Sequence, residues 1–428
     1  MNSFAMGSIE AWVPRGLVSD GECAISAPVT GEGLCPMRIS WDKGKINRIE
    51  AIDSSPESLL KLLLPRLVEP HAHLDKVFTW KKFPNFKGTY ESALQTNLEE
   101  HKVRTFQEVY IRAEKALKLA LKNGLRAIRT HVDCFGMAGN HSWEALIDLK
   151  KKWQNLIELQ CVALVPLDYW SSKEGNLLAS RVARSGGILG GVLVPPFEKR
   201  KSHRYLFELL KLANQLQCGV DLHIDESDKK PAAGLNQLIR VLDHVENNIA
   251  ITCSHSSSMG LLSRRKIEFL AERLAHHQVN VIALPLTNAW LLSRQERVTP
   301  IQRPVAPVKQ LQQSGVTVAI GGDNVQDSWF PFGNCDPIAM MSCSMPLIQL
   351  APWERLGLSA FTTCAAEVMG LEWDNTLQVG CPADFVVLDS SCWVEALSIP
   401  SPREIIIKGE LLEDEMIPAS KNPEIFDE

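Results

Sequence analysis

The stretch Leu67-Val68-Glu69-Pro70-His71-Ala72-His73-Leu74-Asp75 decides how this chain is read. A short apolar run carries two histidines one residue apart, and in an extended strand alternate side chains share a face. Both imidazoles then point the same way, where they can grip one divalent cation. Eleven histidines in 428 residues produce only about 0.3 such pairs by chance, so a lone pair is weak evidence. Three further segments strengthen it: His223-Ile224-Asp225-Glu226, Ser254-His255 and Gly322-Asp323-Asn324, each placed just after a short apolar, strand-like run.

Around these segments the middle of the chain alternates. Apolar, β-branched runs end near Glu69, His131, Pro166, Pro196, His223, His255, Leu286 and Asp323, with helical patterns between several of them. One long helix is expected over residues 92–122, stopped by Asn123-Gly124, and its Leu/Ala stripe reads as core. Residues 206–217 and 261–277 are amphipathic as well. Eight strands alternating with helices predict an α/β fold, a (β/α)8 TIM-type barrel, whose active site forms at the C-terminal strand ends. The spacing agrees. His71 to His223 is 152 residues, or 38 for each of four βα units; His223 to His255 is 32; His255 to Asp323 is 68, or 34 for each of two. The segments therefore fall on barrel strands 1, 5, 6 and 8.

Both ends of the chain are β-rich. Residues 37–41 and 46–49 flank Asp42-Lys43-Gly44-Lys45 as a hairpin, and residues 383–389 and 404–410 read as C-terminal strands. The expected organisation is a small β-sandwich built from residues 1–64 and 378–428, with the barrel spanning 65–377.

Composition narrows the function. With 45% hydrophobic and 22% charged residues the chain reads as a soluble globular protein. A net charge of -5 offers no basic face for nucleic acid or an anionic membrane, so neither is expected as a partner. The densest basic cluster, Lys199-Arg200-Lys201, reads as a solvated loop. Eleven cysteines are scattered without CxxC pairs, as reduced core thiols would be; Cys134 and Cys253 are read that way rather than as ligands. The opening residues lack a basic segment followed by an apolar run, and no stretch approaches 18 uninterrupted apolar residues, so a cytoplasmic location is expected. A homo-oligomer is compatible with the sequence and not specified by it.

The residue types set the chemistry. Three nitrogens from His71, His73 and His223 with one hard oxygen from Asp323 suit one zinc or iron(II) ion with an open position. Such an ion lowers the pKa of bound water to near 7. Glu226, three residues past His223, can take a proton and deliver it to substrate. His255 can orient the attacking hydroxide, and Asp323 can relay a proton as well as bind the metal. His131 and Asp133 read equally as support for the site or simple packing at strand 2, on the one hand, and as substrate contacts on the other. Asp75 and Lys76 read as a structural ion pair at the exit of strand 1.

Taken together, residues 68–75, 131–133, 223–226, 254–255 and 322–329 resemble the amidohydrolase superfamily, specifically its cytosine-deaminase-like branch. Gly380-Cys381-Pro382-Ala383-Asp384 is similar to the start of that family's C-terminal β-domain strand. The resemblance implies that His71, His73, His223 and Asp323 are metal ligands and that Glu226 protonates a ring nitrogen. It places His255 beside the hydrolytic water and Trp329 near the substrate. The implied reaction is hydrolytic deamination of an amino-substituted N-heterocycle: a hydroxide generated at the metal attacks an amidine-type ring carbon and ammonia leaves. Leu167, Asn324 and Trp329 occupy the positions expected to touch substrate. Two of these depart from the cytosine enzymes, which carry a glutamine after strand 3, where residues 162–168 have none, and a second aspartate where this chain has Asn324. Loss of a substrate-bonding side chain shifts preference strongly.

Two rival readings of the same scaffold predict different residues. A hydantoinase-like or dihydroorotase-like cyclic-amide hydrolase would use two metals bridged by a carboxylated lysine on strand 4, and residues 189–196 contain no lysine. A catalytically inactive interaction protein on the same scaffold would have lost ligands, and here all four are present with Glu226.

Overall fold

The structure, a computed structural model, describes residues 6–19, 28–53, 59–398 and 401–419. Contacts divide the chain into two units, one of residues 1–68, 117–127 and 335–428, the other of residues 69–116 and 128–334.

In the first unit, the N-terminal strands bury apolar side chains, some alternating with more exposed residues and the one nearest the sheet centre buried along nearly its whole length. They are β1 (Gly7–Pro14), β2 (Leu34–Asp42), β3 (Lys45–Ala51) and β4 (Lys61–Pro65). The hairpin read from Lys43-Gly44 is present: Asp42 pairs Lys45, and both turn residues have positive φ, 51° and 75°. That is the two-residue turn whose twist matches the flanking strands. The C-terminal strands join the same sheet, because β4 pairs antiparallel with residues Phe385–Leu388 and parallel with β1. The result is one seven-stranded mixed sheet carrying strands from both ends of the chain. Its core holds Ile39, Trp41, Leu63, Phe385 and Val387, with the Trp41 and Phe385 rings 5.8 Å apart.

The eight-stranded parallel sheet follows chain order. It runs through β5 (Leu67–Ala72), β6 (Leu125–Asp133), β7 (Glu158–Leu164), β8 (Ile188–Leu193), β9 (Val220–Ile224), β10 (Ile251–His255), β11 (Val279–Ala283) and β12 (Val318–Ile320). A parallel bridge between Ala72 and Asp323 brings the last strand back to the first, as the barrel expectation required. Glu69 secures that seam. Its buried carboxylate accepts the backbone N–H of His71 at 3.0 Å and of Gly322 at 3.0 Å, and Asp323 N donates to His71 O at 2.9 Å. Gly321 must be glycine here, since a Cβ would lie 2.9 Å from Glu69 Oε1 and 3.1 Å from His71 Cβ.

Local structure departs from the sequence reading in three places. The single helix expected over 92–122 is two, Tyr90–Val103 and Phe106–Lys122. Arg104 between them is extended (ψ 127°), its guanidinium drawn to Asp75 and Glu100. Thr105 then starts the second helix by a reciprocal cap with Glu108, a T-x-x-E signature that the continuous Glu/Lys/Ala/Leu pattern had masked. Lys199-Arg200-Lys201 is exposed as expected but opens the helix Lys199–Leu216 rather than forming a loop. The amphipathic stretch 261–277 narrows to the helix Arg264–His276, preceded by a 3-10 turn, Ser257–Leu261. No helix among the described residues is long and apolar enough to cross a membrane.

Where β4 leads into β5, Arg66 is 1% exposed, pairs with Asp384 at 3.3 Å and donates to Leu125 O. Removing one partner of a buried ion pair strands the other charge. Asp384→Ala is expected to cost about 3–5 kcal/mol, read as a lowered midpoint of denaturant unfolding. The double variant Arg66→Met/Asp384→Leu should recover much of the loss.

Candidate metal centre and active-site cavity

Side chains from four strand ends meet in the second unit. His71 lies on the inner face of β5, and His73 just past the end of that strand keeps the same direction. His223 comes from β9, His255 ends β10, and Asp323 follows β12. The Nε2 atoms of His71 and His73 are 3.4 Å apart and those of His73 and His223 3.3 Å. Asp323 Oδ1 stands 3.5 Å from His71 Nε2 and 3.3 Å from His73 Nε2. With bonds of about 2.0–2.1 Å, a tetrahedral ion spaces its donors about 3.3–3.4 Å apart. Both Asp323 oxygens are buried without a hydrogen-bond partner, an arrangement that is costly unless a cation satisfies it. The donor set therefore fits a divalent metal.

A second layer sets the tautomers. His73 Nδ1 donates to the carbonyl of His131 at 3.1 Å. His71 Nδ1 donates to Ser254 Oγ at 2.9 Å; Ser254 in turn donates to Asp221 at 2.8 Å, and Asp221 accepts from Arg129 at 2.9 Å. Protons held on Nδ1 leave the Nε2 lone pairs facing the cluster. Burial drives the pKa values of His71, His131 and His223 well below the usual imidazole range, and their mutual repulsion adds to it. The imidazoles are thus neutral, the form that ligates. His131 stacks on His71 with centroids 3.8 Å apart; it packs the ligand, and Asp221 and Ser254 are supporting residues that sequence reasoning had not assigned.

Backbone geometry is unusual at these strand ends. Asp225, His255 and Asp323 all adopt positive φ, 55°, 70° and 66°, a region non-glycine residues enter at some cost. The Asp225 carboxylate accepts the N–H groups of Gly234 and Leu235, each at 2.8 Å, which anchors the loop that carries Glu226.

A cavity of about 440 Å³ opens over the cluster, and His73, His223, Glu226, His255, Asp323, Asn324 and Trp329 line it. Burial, reinforced by the Asp323 charge, pushes Glu226 well above the usual carboxyl range. Burial pulls His255 down to about 4. Its Nδ1 accepts from Asn288 at 3.0 Å, which places its proton on Nε2. Burial opposes ionisation of Asp323, but the neighbouring His73 and His255 imidazoles outweigh it and hold the group below its ordinary range. Asn324 donates to Asp327 at 2.7 Å, and Trp329 meets Tyr90 edge-to-face at 5.1 Å.

Leu167 does not line the cavity. It sits in the 3-10 turn Leu167–Ser171, buried, and packs over Gly191, where the missing side chain leaves room. Val165 and Pro166 reach the cavity in its place. Asp75 and Lys76 do not form the expected pair: Asp75 binds Arg104 at 2.7 Å, whereas Lys76 binds Asp133 at 2.9 Å. Lys76 and Asp133 both line the cavity. So do Tyr90, Leu94, Asn97 and Leu98, on one face of the helix Tyr90–Val103. Their i, i+4, i+7, i+8 spacing was visible in the sequence, but such a stripe also describes a core face. Cys134 and Cys253 are free buried thiols, raised by burial, and stand outside the cavity lining.

Residues 179–412 match the model of the Amidohydrolase family. The chain belongs to that family. Pterin deaminase of Rhizobium rhizogenes is 27% identical over 395 residues, 90% of this chain and 89% of that one. N-isopropylammelide isopropyl amidohydrolase of Pseudomonas sp. is 27% identical over 394 residues, 87% and 93% of the two chains. Among solved structures, 5-methylcytosine deaminase from Klebsiella pneumoniae superimposes with a TM-score of 0.80 at 24% identity, covering 95% of this chain and 98% of the other; that likeness is one of fold.

The Ser254 hydroxyl holds His71 without entering the cluster itself. Ser254→Ala is expected to weaken zinc affinity about 10- to 100-fold, measured by chelator competition, with little change in melting temperature of the metal-free protein.

Proposed function

We propose that this amidohydrolase hydrolytically deaminates an amino-substituted N-heterocycle, using one zinc or iron(II) ion held by His71, His73, His223 and Asp323. The observation that carries the reading is Glu226: a buried carboxyl group in the same cavity as the donor cluster, its pKa raised well above the usual range by burial. The names of the two relatives, a pterin deaminase and an N-isopropylammelide isopropyl amidohydrolase, support chemistry at an amino-substituted ring.

The ion, when bound, supplies activation of water at neutral pH. The chain's own residues handle the protons. Asp323, ionised, accepts the proton of the attacking water as its oxygen bonds to the amino-bearing ring carbon. Glu226 gives its proton to the adjacent ring nitrogen. His255, neutral with its proton on Nε2, donates a hydrogen bond to the attacking oxygen and keeps its direction. Collapse of the tetrahedral adduct breaks the carbon–nitrogen bond: the proton gathered by Asp323 leaves with ammonia, and the adduct's hydroxyl proton returns to Glu226 as the ring carbonyl forms. Trp329 and Asn324 stand beside the ring.

The cyclic-amide alternative draws no support from β8, which reads Ile-Leu-Gly-Gly-Val-Leu and offers no bridging lysine. Two metal ions per chain on quantitative metal analysis would favour it.

Metal-replete protein is expected to release ammonia from at least one member of a panel of aminopyrimidines, aminopurines, pterins and aminotriazines. Silence across the panel would overturn the proposal. Glu226→Gln should lose turnover by at least about 100-fold, the scale of a general acid, while keeping its metal; retained activity would remove Glu226 from the proton transfer.

A further inference from the structure

One part of the cavity has no role in the reaction just described. Lys76 is 3% exposed, yet it lines the cavity. Its Nζ pairs with Asp133 Oδ2 at 2.9 Å, the one acceptor it meets among the described residues, so N–H groups remain for a ligand. Asn97, 6% exposed, also lines the cavity and donates from Nδ2 to the same Asp133 oxygen at 3.3 Å. Because that carboxylate only accepts, the amide orientation is determined, and Asn97 Oδ1 is left as an acceptor. A fixed cationic donor and a fixed neutral acceptor thus stand on one anchor.

Lys76 is not the only cation beside Asp133. Arg104 already binds Asp75 at 2.7 Å and approaches Asp133 at 3.5 Å, and it also pairs with Glu100. Burial works against a charged ammonium at Lys76, but the carboxylates of Asp133 and Asp75 outweigh it and keep the charge. The rest of the wall nearby is apolar, with Leu94, Leu98 and Phe135. A cavity of about 440 Å³ has room for roughly fifteen waters at about 30 Å³ each, so a single six-membered ring leaves much of it unfilled.

We infer that Lys76 and Asn97, both anchored on Asp133, read a lactam edge of the substrate, Lys76 donating to the ring carbonyl oxygen and Asn97 accepting from the neighbouring ring N–H. The inference rests on the reading of this cavity as the deaminase site, and it narrows the substrate class to oxo-bearing aminoheterocycles. The hydrocarbon body of a fused ring or a substituent lies against Leu94, Leu98 and Phe135. A site built to bond a ring carbonyl rejects the analogue without it, because the buried ammonium is then left without its acceptor.

The test is equilibrium binding to the zinc-loaded protein, using matched ligands with and without the ring carbonyl: cytosine against 4-aminopyrimidine, and pterin against 2-aminopteridine. The wild-type chain should prefer the oxo member of at least one pair by 10- to 100-fold. Lys76→Met should reduce that preference to about threefold or less, and Asn97→Leu should lower it by about tenfold. Melting temperature and zinc content are followed in parallel, and Asn97→Leu carries the test alone if Lys76→Met does not fold. A wild-type protein without the preference, or variants that keep it, would overturn the inference. Binding rather than turnover separates the two ideas. A Lys76-dependent preference with no ammonia released from any ligand sinks the deaminase reading and leaves the subsite; ammonia release from both members of a pair, unaffected by Lys76→Met, sinks the subsite and leaves the deaminase.

Discussion

The seam between the first and last barrel strands is the constraint on which the site depends. His71 and Asp323 are separated by most of the barrel sequence, and their donor atoms come within 3.5 Å only because β5 and β12 are held side by side. The contact is short: one bridge between Ala72 and Asp323, one backbone hydrogen bond, and the Glu69 carboxylate reaching across to Gly322. Glu69 is buried there, and burial pushes its pKa up to about 8 despite the two backbone N–H groups that pull it down. A side chain at position 321 would collide with that carboxylate. The closing contact and the donor cluster therefore occupy the same few residues.

Polarity in the barrel mouth is arranged in two separate networks. One is nearly neutral, made of imidazoles whose pKa values burial has lowered, with Asp323 as the charged member that faces them. The other is densely ionic: Asp75, Glu100 and Asp133 against Lys76, Arg104 and Arg112, with mutual contacts that leave few of the charges without a partner. Buried charge is tolerated when it is paired and hydrogen-bonded. The cavity is lined by members of both, the imidazoles of His73, His223 and His255 with Asp323 from one and Lys76 with Asp133 from the other.

Much of this was legible in the chain. Strand alternation put His71 and His73 on one face, and constant spacing between motifs assigned four segments to strands 1, 5, 6 and 8 of one barrel. The hairpin at Lys43-Gly44 followed from its turn residues. What was misread shares one cause. The helix Tyr90–Val103 looked like the first half of a longer core helix because Glu, Lys, Ala and Leu continue without interruption through residue 122. Arg104 ends it through contacts with Asp75 and Glu100, and Asp75 lies 29 residues away. Leu167, expected in the cavity from its place after strand 3, instead opens a 3-10 turn and packs over Gly191, and Leu164, Val165 and Pro166 line the cavity.

The sequence by itself determined the fold class and singled out the residues that the structure gathers at the cavity, His71, His73, His223, Glu226 and Asp323, since each depends on residue type and regular spacing along the chain. Only the tertiary structure decided which side chains face the cavity beyond the strand ends. Lys76 pairing with Asp133 rather than Asp75, and a helix turning Tyr90, Leu94, Asn97 and Leu98 toward the cluster, are outcomes of packing between segments distant in sequence. Periodicity identifies a face, and the partner that face meets is set by the folded chain.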